Sequence, residues 1–209
     1  MPRPRIILAD YHEMLLAAFQ KLLKPRYEVV ECVTNGRDVL SKAEELRPDA
    51  IILDIGMPGL NGMDAARRLR EIVPGTRLVF LTVNDDPDVA AEALEIGALG
   101  YLLKASAATE LFDAIDQVMV GKRYITPKLG KTIDELRSPH QKTKPALTVR
   151  QREVLQLLAE GHSMKQAGGM LGISQGTVAF HKYRIMEIVG AKSSVELVQY
   201  AVKQGLVST

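Results

Sequence analysis

Short apolar runs alternate with amphipathic stretches through the first 120 residues, and this alternation is the strongest constraint on the fold. The continuous apolar runs are typical of strands that are buried on both faces, whereas the stretches between them have helical spacing. Regular alternation of strands and helices predicts a parallel sheet with right-handed crossovers. The predicted strands are 6–9, 27–33, 50–53, 78–81 and 100–103, and the predicted helices are 12–23, 36–46, 62–72, 86–96 and 107–120.

The remaining residues divide into a connecting segment and a helical region. Five strand–helix units in 1–120 predict an α/β domain with a flavodoxin-like (βα)5 fold. Residues 121–146 contain proline and glycine among lysine and arginine, which indicates a linker, with a short helix around 128–137. In 147–209 serines or threonine precede apolar periodic segments that glycines terminate, which predicts an all-α four-helix helix-turn-helix domain. Its predicted helices are 149–160, 164–171, 175–189 and 194–204.

The composition is that of a globular protein, and the charge is divided unevenly. Apolar residues make up 46% and charged residues 25%, and an eighteen-residue apolar stretch is missing, so we expect a cytoplasmic protein without a membrane span. Cys32 is the only cysteine, which excludes an intrachain disulfide framework. Lys and Arg number 13 against 19 Asp and Glu in 1–120, but 7 against 2 in 121–144 and 7 against 4 in 145–209. This distribution favours a polyanionic partner for the second domain.

Polar side chains lie at the ends of four predicted strands. Asp10, Asp54 and Lys104 follow the first, third and fifth strands, and Thr82 follows the fourth. Because open parallel sheets bind ligands beyond the carboxyl ends of their strands, we expect these side chains to converge. Two carboxylates can hold Mg²⁺, and the cation together with the lysine would neutralise an incoming phosphoryl group. A carboxylate can also act as a nucleophile and form an acyl phosphate.

Three motifs resemble those of response-regulator receiver domains, over about residues 4–120. They are Leu-Asp-Ile-Gly-Met-Pro-Gly-Leu-Asn-Gly (53–62), Phe-Leu-Thr (80–82) and Gly-Tyr-Leu-Leu-Lys (100–104). The resemblance implies that a sensor histidine kinase phosphorylates Asp54 and that Thr82 and Lys104 contact the phosphoryl group. It also implies that Tyr101 is an aromatic switch residue. The implied Mg²⁺ ligands are Asp10, Asp54 and the backbone carbonyl of Gly56.

The predicted metal site departs from the family pattern at one position. Receiver domains usually have two adjacent acids after the first strand, whereas this chain has Asp10 followed by Tyr11. The loss of one negative charge should weaken Mg²⁺ binding, and a phenol with a pKa near ~10 cannot replace the acid. Two interpretations stay open: Asp54 is phosphorylated, slowly or with weak Mg²⁺ dependence, or the domain is a degenerate receiver that works without phosphorylation. Glu13 is a second candidate acid, and we expect His12 to cap the first helix or lie exposed rather than bind metal.

Residues 147–207 resemble the LuxR-type helix-turn-helix domain of NarL/FixJ-like regulators. The resemblance rests on motifs in all four predicted helices, among them Arg-Glu-Val-Leu (152–155), Leu-Gly-Ile-Ser (171–174) and Thr-Val (177–178). It implies a DNA-binding transcription regulator rather than an enzyme, with a recognition helix at 175–189 and a homodimer contact through the last helix. A protein-interaction module without DNA binding is a weaker alternative. The residues predicted to contact DNA are Lys165, Ser174, Gln175, Thr177, Ala179, Phe180, Lys182, Tyr183 and Arg184.

Two adjacent glycines occupy the predicted helix 164–171. Gly168 and Gly169 together should cost about 1–2 kcal/mol relative to alanines. We therefore expect this helix to be marginally stable, and the replacement of both glycines by alanine to raise the melting temperature.

Overall fold

The computed structural model describes residues 2–85, 87–130 and 147–207, apart from the side chain of Asp88. The chain divides into two compact units, residues 1–139 and 140–209. In the described part of the chain, no helix is both long enough and apolar enough to cross a membrane.

The first unit is built on a parallel six-stranded sheet. The strands are β1 (Arg5–Ala9), β2 (Glu28–Val33), β3 (Ala50–Leu53), β4 (Arg77–Thr82), β5 (Gly100–Leu103) and β6 (Tyr124–Ile125). The strand order is β2-β1-β3-β4-β5-β6, and every neighbouring pair is parallel. This order confirms the predicted flavodoxin-like topology.

Helices cover both faces of this sheet because alternate strand residues point to opposite sides. The helices are α1 (Glu13–Leu23), α2 (Gly36–Leu46), α3 (Gly62–Ile72), α4 (Pro87–Glu95) and α5 (Ala107–Met119). On one face Ile7, Ile51 and Phe80 pack with buried residues of α2, α3 and α4. On the other face Ile6, Ile52 and Val79 pack with buried residues of α1 and α5. A 3₁₀ turn (Lys104–Ser106) connects β5 to α5.

The sixth strand lies in the range for which the sequence predicts a linker. Tyr124 and Ile125 pair with Gly100 and Tyr101, so the sheet continues past residue 120. Residues 127–130 are helical, whereas the rest of the helix predicted around 128–137 and the linker residues 131–146 lie outside the described residues. A two-residue strand has no periodicity, which is why the sequence gives no signal for it.

The second unit is helical, as predicted. Thr148 and Ser163 begin the first two helices with capping boxes that involve Gln151 and Gln166. The core of this unit includes Val154, Leu155, Val178 and Ile185. The helices are α6 (Val149–Ala159), α7 (Met164–Leu171), α8 (Gln175–Val189) and α9 (Ser194–Lys203).

The structure corrects the expectation for the two glycines of α7. Gly169 has open space where a Cβ would lie, but a Cβ on Gly168 would lie 2.7 Å from the carbonyl oxygen of Ile173. The amide of Ile173 in turn donates a hydrogen bond of 3.0 Å to the carbonyl of Gly168. Gly168 is therefore required by the close approach of the turn between α7 and α8. The replacement of both glycines by alanine is not expected simply to raise the melting temperature.

Candidate functional site: an acid–lysine cluster and an exposed helix

The sheet register brings the two predicted carboxylates together. Ala9 and Leu53 are paired residues of β1 and β3, so the residues that follow them leave the sheet side by side. The backbone amide of Asp54 donates to the carbonyl of Ala9 at 2.8 Å, which fixes Asp54 beside Asp10. Both carboxylates are buried, and only 3% of the Asp54 surface is exposed.

Lys104 lies between these carboxylates. Its Nζ is 2.8 Å from Oδ2 of Asp54 and 2.5 Å from Oδ2 of Asp10. The contact with Asp54 is also a hydrogen bond, whereas Oδ2 of Asp10 is buried and accepts no hydrogen bond. Strand ends β1, β3 and β5 thus contribute two negative charges and one positive charge to a single buried cluster.

The pKa of Asp54 is raised above its ordinary value, because burial outweighs the groups that favour the carboxylate. Burial raises the pKa of Asp54, and the ammonium of Lys104 opposes that rise by charge and hydrogen bonding. The neighbouring charge of Asp10 raises the pKa further, whereas a hydrogen bond from the backbone of Gly56 lowers it. A second positive charge at this site would favour the carboxylate, which is the form that acts as a nucleophile.

Gly62 explains part of the motif that follows Asp54. A Cβ at Gly62 would lie 2.0 Å from the carbonyl oxygen of Asp54, so a larger residue would displace the end of β3. The amide of Gly62 donates to the carbonyl of Ile55 at 2.8 Å, and Asn61 caps α3 through the amide of Asp64. The loop is therefore held closely against the backbone of Asp54.

Thr82 and Tyr101 are connected through the backbone of Asn84. The hydroxyl of Thr82 accepts a hydrogen bond of 3.2 Å from the amide of Asn84, and the hydroxyl of Tyr101 donates to its carbonyl at 2.8 Å. Both side chains are buried. Because Asn84 acts here through its main chain, its residue type carries no signal that a sequence pattern could have detected.

His12, which follows Tyr11 in the sequence, also contacts the acid–lysine cluster. Nδ1 of His12 lies 3.0 Å from Oδ1 of Asp10, and candidate ligand atoms of Asp10, His12 and Asp54 lie within 4.8 Å of one another. His12 precedes α1 without a side-chain capping hydrogen bond, and Glu13 is exposed in the first turn. The carboxylate oxygens of Asp10 and Asp54 and the imidazole nitrogen of His12 form a donor set that fits a divalent cation beside the Lys104 ammonium.

The central exposed face of α8 carries two aromatic side chains. Phe180 is 66% exposed and Tyr183 is 67% exposed. Val178 and Ile185 of the same helix are buried in the core, so the aromatic residues lie on the opposite side of α8. Phe180 and Tyr183 therefore form a solvent-facing aromatic surface, which makes this face of the helix a candidate interaction surface.

The other predicted DNA-contact residues surround this face or lie on the preceding helix. The hydroxyl of Ser174 caps α8 by accepting from the amide of Thr177 at 3.0 Å. Lys182 donates to the hydroxyl of Ser194 at 2.9 Å, and Arg184 lies 2.5 Å from Glu187. Lys182 therefore lies beside the start of α9, at the edge of the exposed face. Lys165, Gln175 and Ala179 complete the set, with Lys165 and Gln175 exposed and Ala179 partly buried.

The (βα)5 topology with this acid–lysine cluster defines a receiver-type domain, and the second unit has the four helices of a helix-turn-helix domain. The family model for the response regulator receiver domain matches residues 6–116. The model for bacterial regulatory proteins of the luxR family matches residues 145–201. The chain therefore belongs to the response regulators with a LuxR-type DNA-binding domain, a family of transcription regulators rather than enzymes.

Characterised relatives match the chain over nearly its whole length. The response regulator GacA of Pseudomonas aeruginosa is 31% identical over 209 residues, with 97% of each chain covered. The transcriptional regulatory protein DesR of Bacillus subtilis is 35% identical over 202 residues, with 96% of this chain and 97% of DesR covered.

Solved structures share the fold. A LuxR-family response regulator from Aurantimonas sp. is 30% identical with a TM-score of 0.62, covering 65% of this chain and 98% of that chain. The RcsB response regulator of Salmonella typhimurium is 22% identical with a TM-score of 0.72, and both chains are fully covered.

Proposed function

We propose that this protein is a DNA-binding transcription regulator whose receiver domain is phosphorylated on Asp54 by a sensor histidine kinase. The observation that carries the proposal is the position of Lys104, whose ammonium contacts both buried carboxylates at the ends of β1 and β3. A buried nucleophile with a cationic neighbour is what phosphoryl transfer to a carboxylate needs. The domain limits 1–120 and 147–209 and the linker 121–146 are also proposals, with Tyr124–Ile125 extending the sheet of the first unit into the linker range.

The chemistry follows from the cluster. A carboxylate oxygen of Asp54 attacks the phosphorus atom of a phosphohistidine, the P–N bond breaks, and the departing imidazole takes up a proton. Lys104 moves its hydrogen bond to a phosphoryl oxygen, and Thr82 offers its hydroxyl to another. Asp10, Asp54 and the backbone carbonyl of Gly56 would hold Mg²⁺, which supplies positive charge to the phosphoryl oxygens.

The signal leaves the site through Asn84. When the hydroxyl of Thr82 turns toward a phosphoryl oxygen, it loses its hydrogen bond with the amide of Asn84. The carbonyl of Asn84 in turn accepts the hydrogen bond from the hydroxyl of Tyr101. The segment after β4 and the ring of Tyr101 are thereby coupled to phosphorylation. We propose that this coupling controls homodimerisation and DNA binding, and RcsB dimers bound to DNA support a dimeric active state.

The exposed face of α8 is the proposed DNA-reading surface. Recognition helices of this type enter the major groove with their early residues at base edges. Gln175, Ala179, Phe180 and Tyr183 are the proposed base contacts, since polar and apolar groups there can read adenine or a thymine methyl. Phosphate contacts are proposed for Lys165, Ser174, Thr177, Lys182 and Arg184.

Phosphorylation is tested by labelling the full chain with a small phosphodonor in the presence of Mg²⁺. We expect one acid-stable, hydroxylamine-sensitive acyl phosphate that is lost in Asp54→Asn. The matched control is Asp49→Asn, which removes an exposed acid just before β3 and should leave labelling unchanged. Labelling that persists in Asp54→Asn contradicts the site, and no labelling of the wild type favours the degenerate receiver.

DNA binding is tested separately by measuring the affinity for duplex DNA across salt concentrations. We expect a steep decrease in affinity with salt, and Lys182→Ala should reduce the logarithmic slope by about one charge. Lys21→Ala, on α1 of the first unit, is the control for a general loss of positive charge. Salt-independent or absent duplex binding would instead favour the protein-interaction alternative.

A further inference from the structure

We infer that His12 is a nitrogen ligand of the receiver metal site and makes this site selective for imidazole-binding transition cations over Mg²⁺. The inference rests on the proposed function, because it concerns the cation of the same cluster. Tyr11 stands where receiver domains usually have a second acid, and His12 is the next side chain to reach Asp10.

The distances match a coordination sphere. Nδ1 of His12 and Oδ1 of Asp10 are 3.0 Å apart. Neighbouring ligands of an octahedral cation with bonds of about 2.1 Å lie about 3.0 Å from each other. Candidate ligand atoms of Asp10, His12 and Asp54 lie within 4.8 Å of one another. Opposite ligands of such a cation lie about 4.2 Å apart, so small side-chain rotations would bring all three onto one cation.

Local contacts hold the imidazole in this position. The backbone amide of His12 donates to the same oxygen, Oδ1 of Asp10, at 2.9 Å. The ring of Tyr11 lies 3.7 Å from the His12 ring between centroids, at an interplanar angle of 40°. Because the His12 side chain is 43% exposed, a cation that arrives with water ligands can reach its ring and replace the contact between Nδ1 and Asp10. Tyr11 is therefore a positioning residue for His12.

The donor set determines the preferred cation. Mg²⁺ takes oxygen ligands, whereas imidazole suits Fe²⁺, Ni²⁺ and Zn²⁺, and the affinity of nitrogen-containing sites rises from Mn²⁺ through Co²⁺ to Ni²⁺. The replacement of an acid by a neutral imidazole lowers the charge attraction that Mg²⁺ depends on. When the cation binds, Nδ1 gives up its contact with Asp10 as a donor, and the proton of the neutral ring lies on Nε2.

Co²⁺ is a suitable probe because it is paramagnetic. Titration of the full chain with Co²⁺ and with Mg²⁺ should give a Co²⁺ affinity at least about tenfold higher, and His12→Gln should reduce Co²⁺ affinity by about tenfold or more. In the Co²⁺ form, NMR should show a hyperfine-shifted, exchangeable imidazole N–H signal that His12→Gln removes. His12→Gln should leave Mg²⁺ affinity nearly unchanged.

Two matched pairs of variants keep the test specific. His162→Gln removes another partly exposed histidine, in the second unit, and should leave the shifted signal and both affinities unchanged. Tyr11→Phe keeps the ring beside His12, whereas Tyr11→Asp restores the second acid and should raise Mg²⁺ affinity and reduce the Co²⁺ preference. An unchanged ratio of the two affinities in His12→Gln, or a shifted signal that disappears in His162→Gln, overturns the inference.

The result is distinguishable from a failure of the proposed function. If Asp54 is not labelled by a phosphodonor, the metal titrations still report whether His12 is a ligand. If Asp54 is labelled but His12→Gln leaves the metal preference unchanged, the regulator proposal stands and the ligand assignment is wrong.

Discussion

The adjacent glycines of α7 give a prediction in which one residue is the control for the other. Gly168 and Gly169 lie in the same helix, and the same substitution can be made at both. A Cβ at residue 169 meets nothing within 4 Å, whereas one at residue 168 lies 2.7 Å from the carbonyl oxygen of Ile173. Since carbon–oxygen contacts are normally about 3.3–3.6 Å, the turn before α8 would have to move by more than about 0.5 Å.

The magnitudes follow from these distances. Gly169→Ala should stabilise the second unit by about 0.5–1 kcal/mol, because alanine loses less backbone entropy in a helix. Gly168→Ala gains the same amount but adds about 1–3 kcal/mol of overpacking, with strain on the hydrogen bond from Ile173 to Gly168. The difference between the two variants therefore isolates the strain, since the helix-propensity gains cancel.

Scanning calorimetry of the full chain can measure both changes in the transition of the second unit. For a unit of this size, each kcal/mol shifts the melting temperature by about 4–8 °C. We expect Gly169→Ala to melt higher than the wild type and Gly168→Ala to melt lower than Gly169→Ala by at least about 4 °C. Equal increases in the two variants would refute the close-approach argument and restore the interpretation that both glycines only weaken α7.

Three further substitutions test the remaining parts of the structure. Lys104→Met should destabilise the first unit by about 3–5 kcal/mol at pH 7, because it leaves buried carboxylates without their cation. The substitution removes a charge that lowers the pKa of Asp54, so this pKa rises further. Because stability is lost as pH rises through a raised carboxyl pKa, the variant should lose less free energy of unfolding in urea at pH 5 than at pH 7. A loss that does not depend on pH contradicts this. Tyr101→Phe should cost about 0.5–1.5 kcal/mol in urea unfolding and weaken the effect of phosphorylation on DNA affinity; full retention of that effect argues against coupling through Asn84. Phe180→Ala should leave stability within about 0.5 kcal/mol but weaken specific DNA binding by about 1–3 kcal/mol in a duplex titration, and undiminished affinity would remove Phe180 from the interface.

The elements that the sequence predicts well are those with a strong period. Strands such as 50–53 are continuous apolar runs, and the structure gives β3 the same limits, Ala50–Leu53. The helix predicted at 175–189 is likewise observed as Gln175–Val189, since Ser174 and Gly190 mark its ends. Because parallel strands end at one edge, the same pattern also places Asp10, Asp54 and Lys104 together.

The features that the sequence does not supply depend on contacts between distant segments. The clash of a Cβ at residue 168 comes from the path of the chain at Ile173, and helix propensities carry no information about that contact. Similarly, Lys182 is predicted from its charge to contact phosphate, but its bond to Ser194 depends on how α9 approaches α8. Side-chain direction at the edge of a helix is set by the neighbouring element as much as by spacing.

The link between Thr82 and Tyr101 shows why the residues of the site can be predicted from the sequence, whereas the contacts that connect the site to the rest of the domain cannot. The two residues belong to different strands and do not need to touch. The amide of Asn84 donates to the hydroxyl of Thr82, and the carbonyl of Asn84 accepts from the hydroxyl of Tyr101. A rotation of the Thr82 hydroxyl would release the amide of Asn84, and the carbonyl of the same residue accepts from the hydroxyl of a fully buried ring. A buried hydroxyl that loses its acceptor is costly, so Tyr101 must find another partner or move. The proposed coupling would therefore run through the backbone of Asn84, and its test lies on Tyr101, whose side-chain hydroxyl makes the contact.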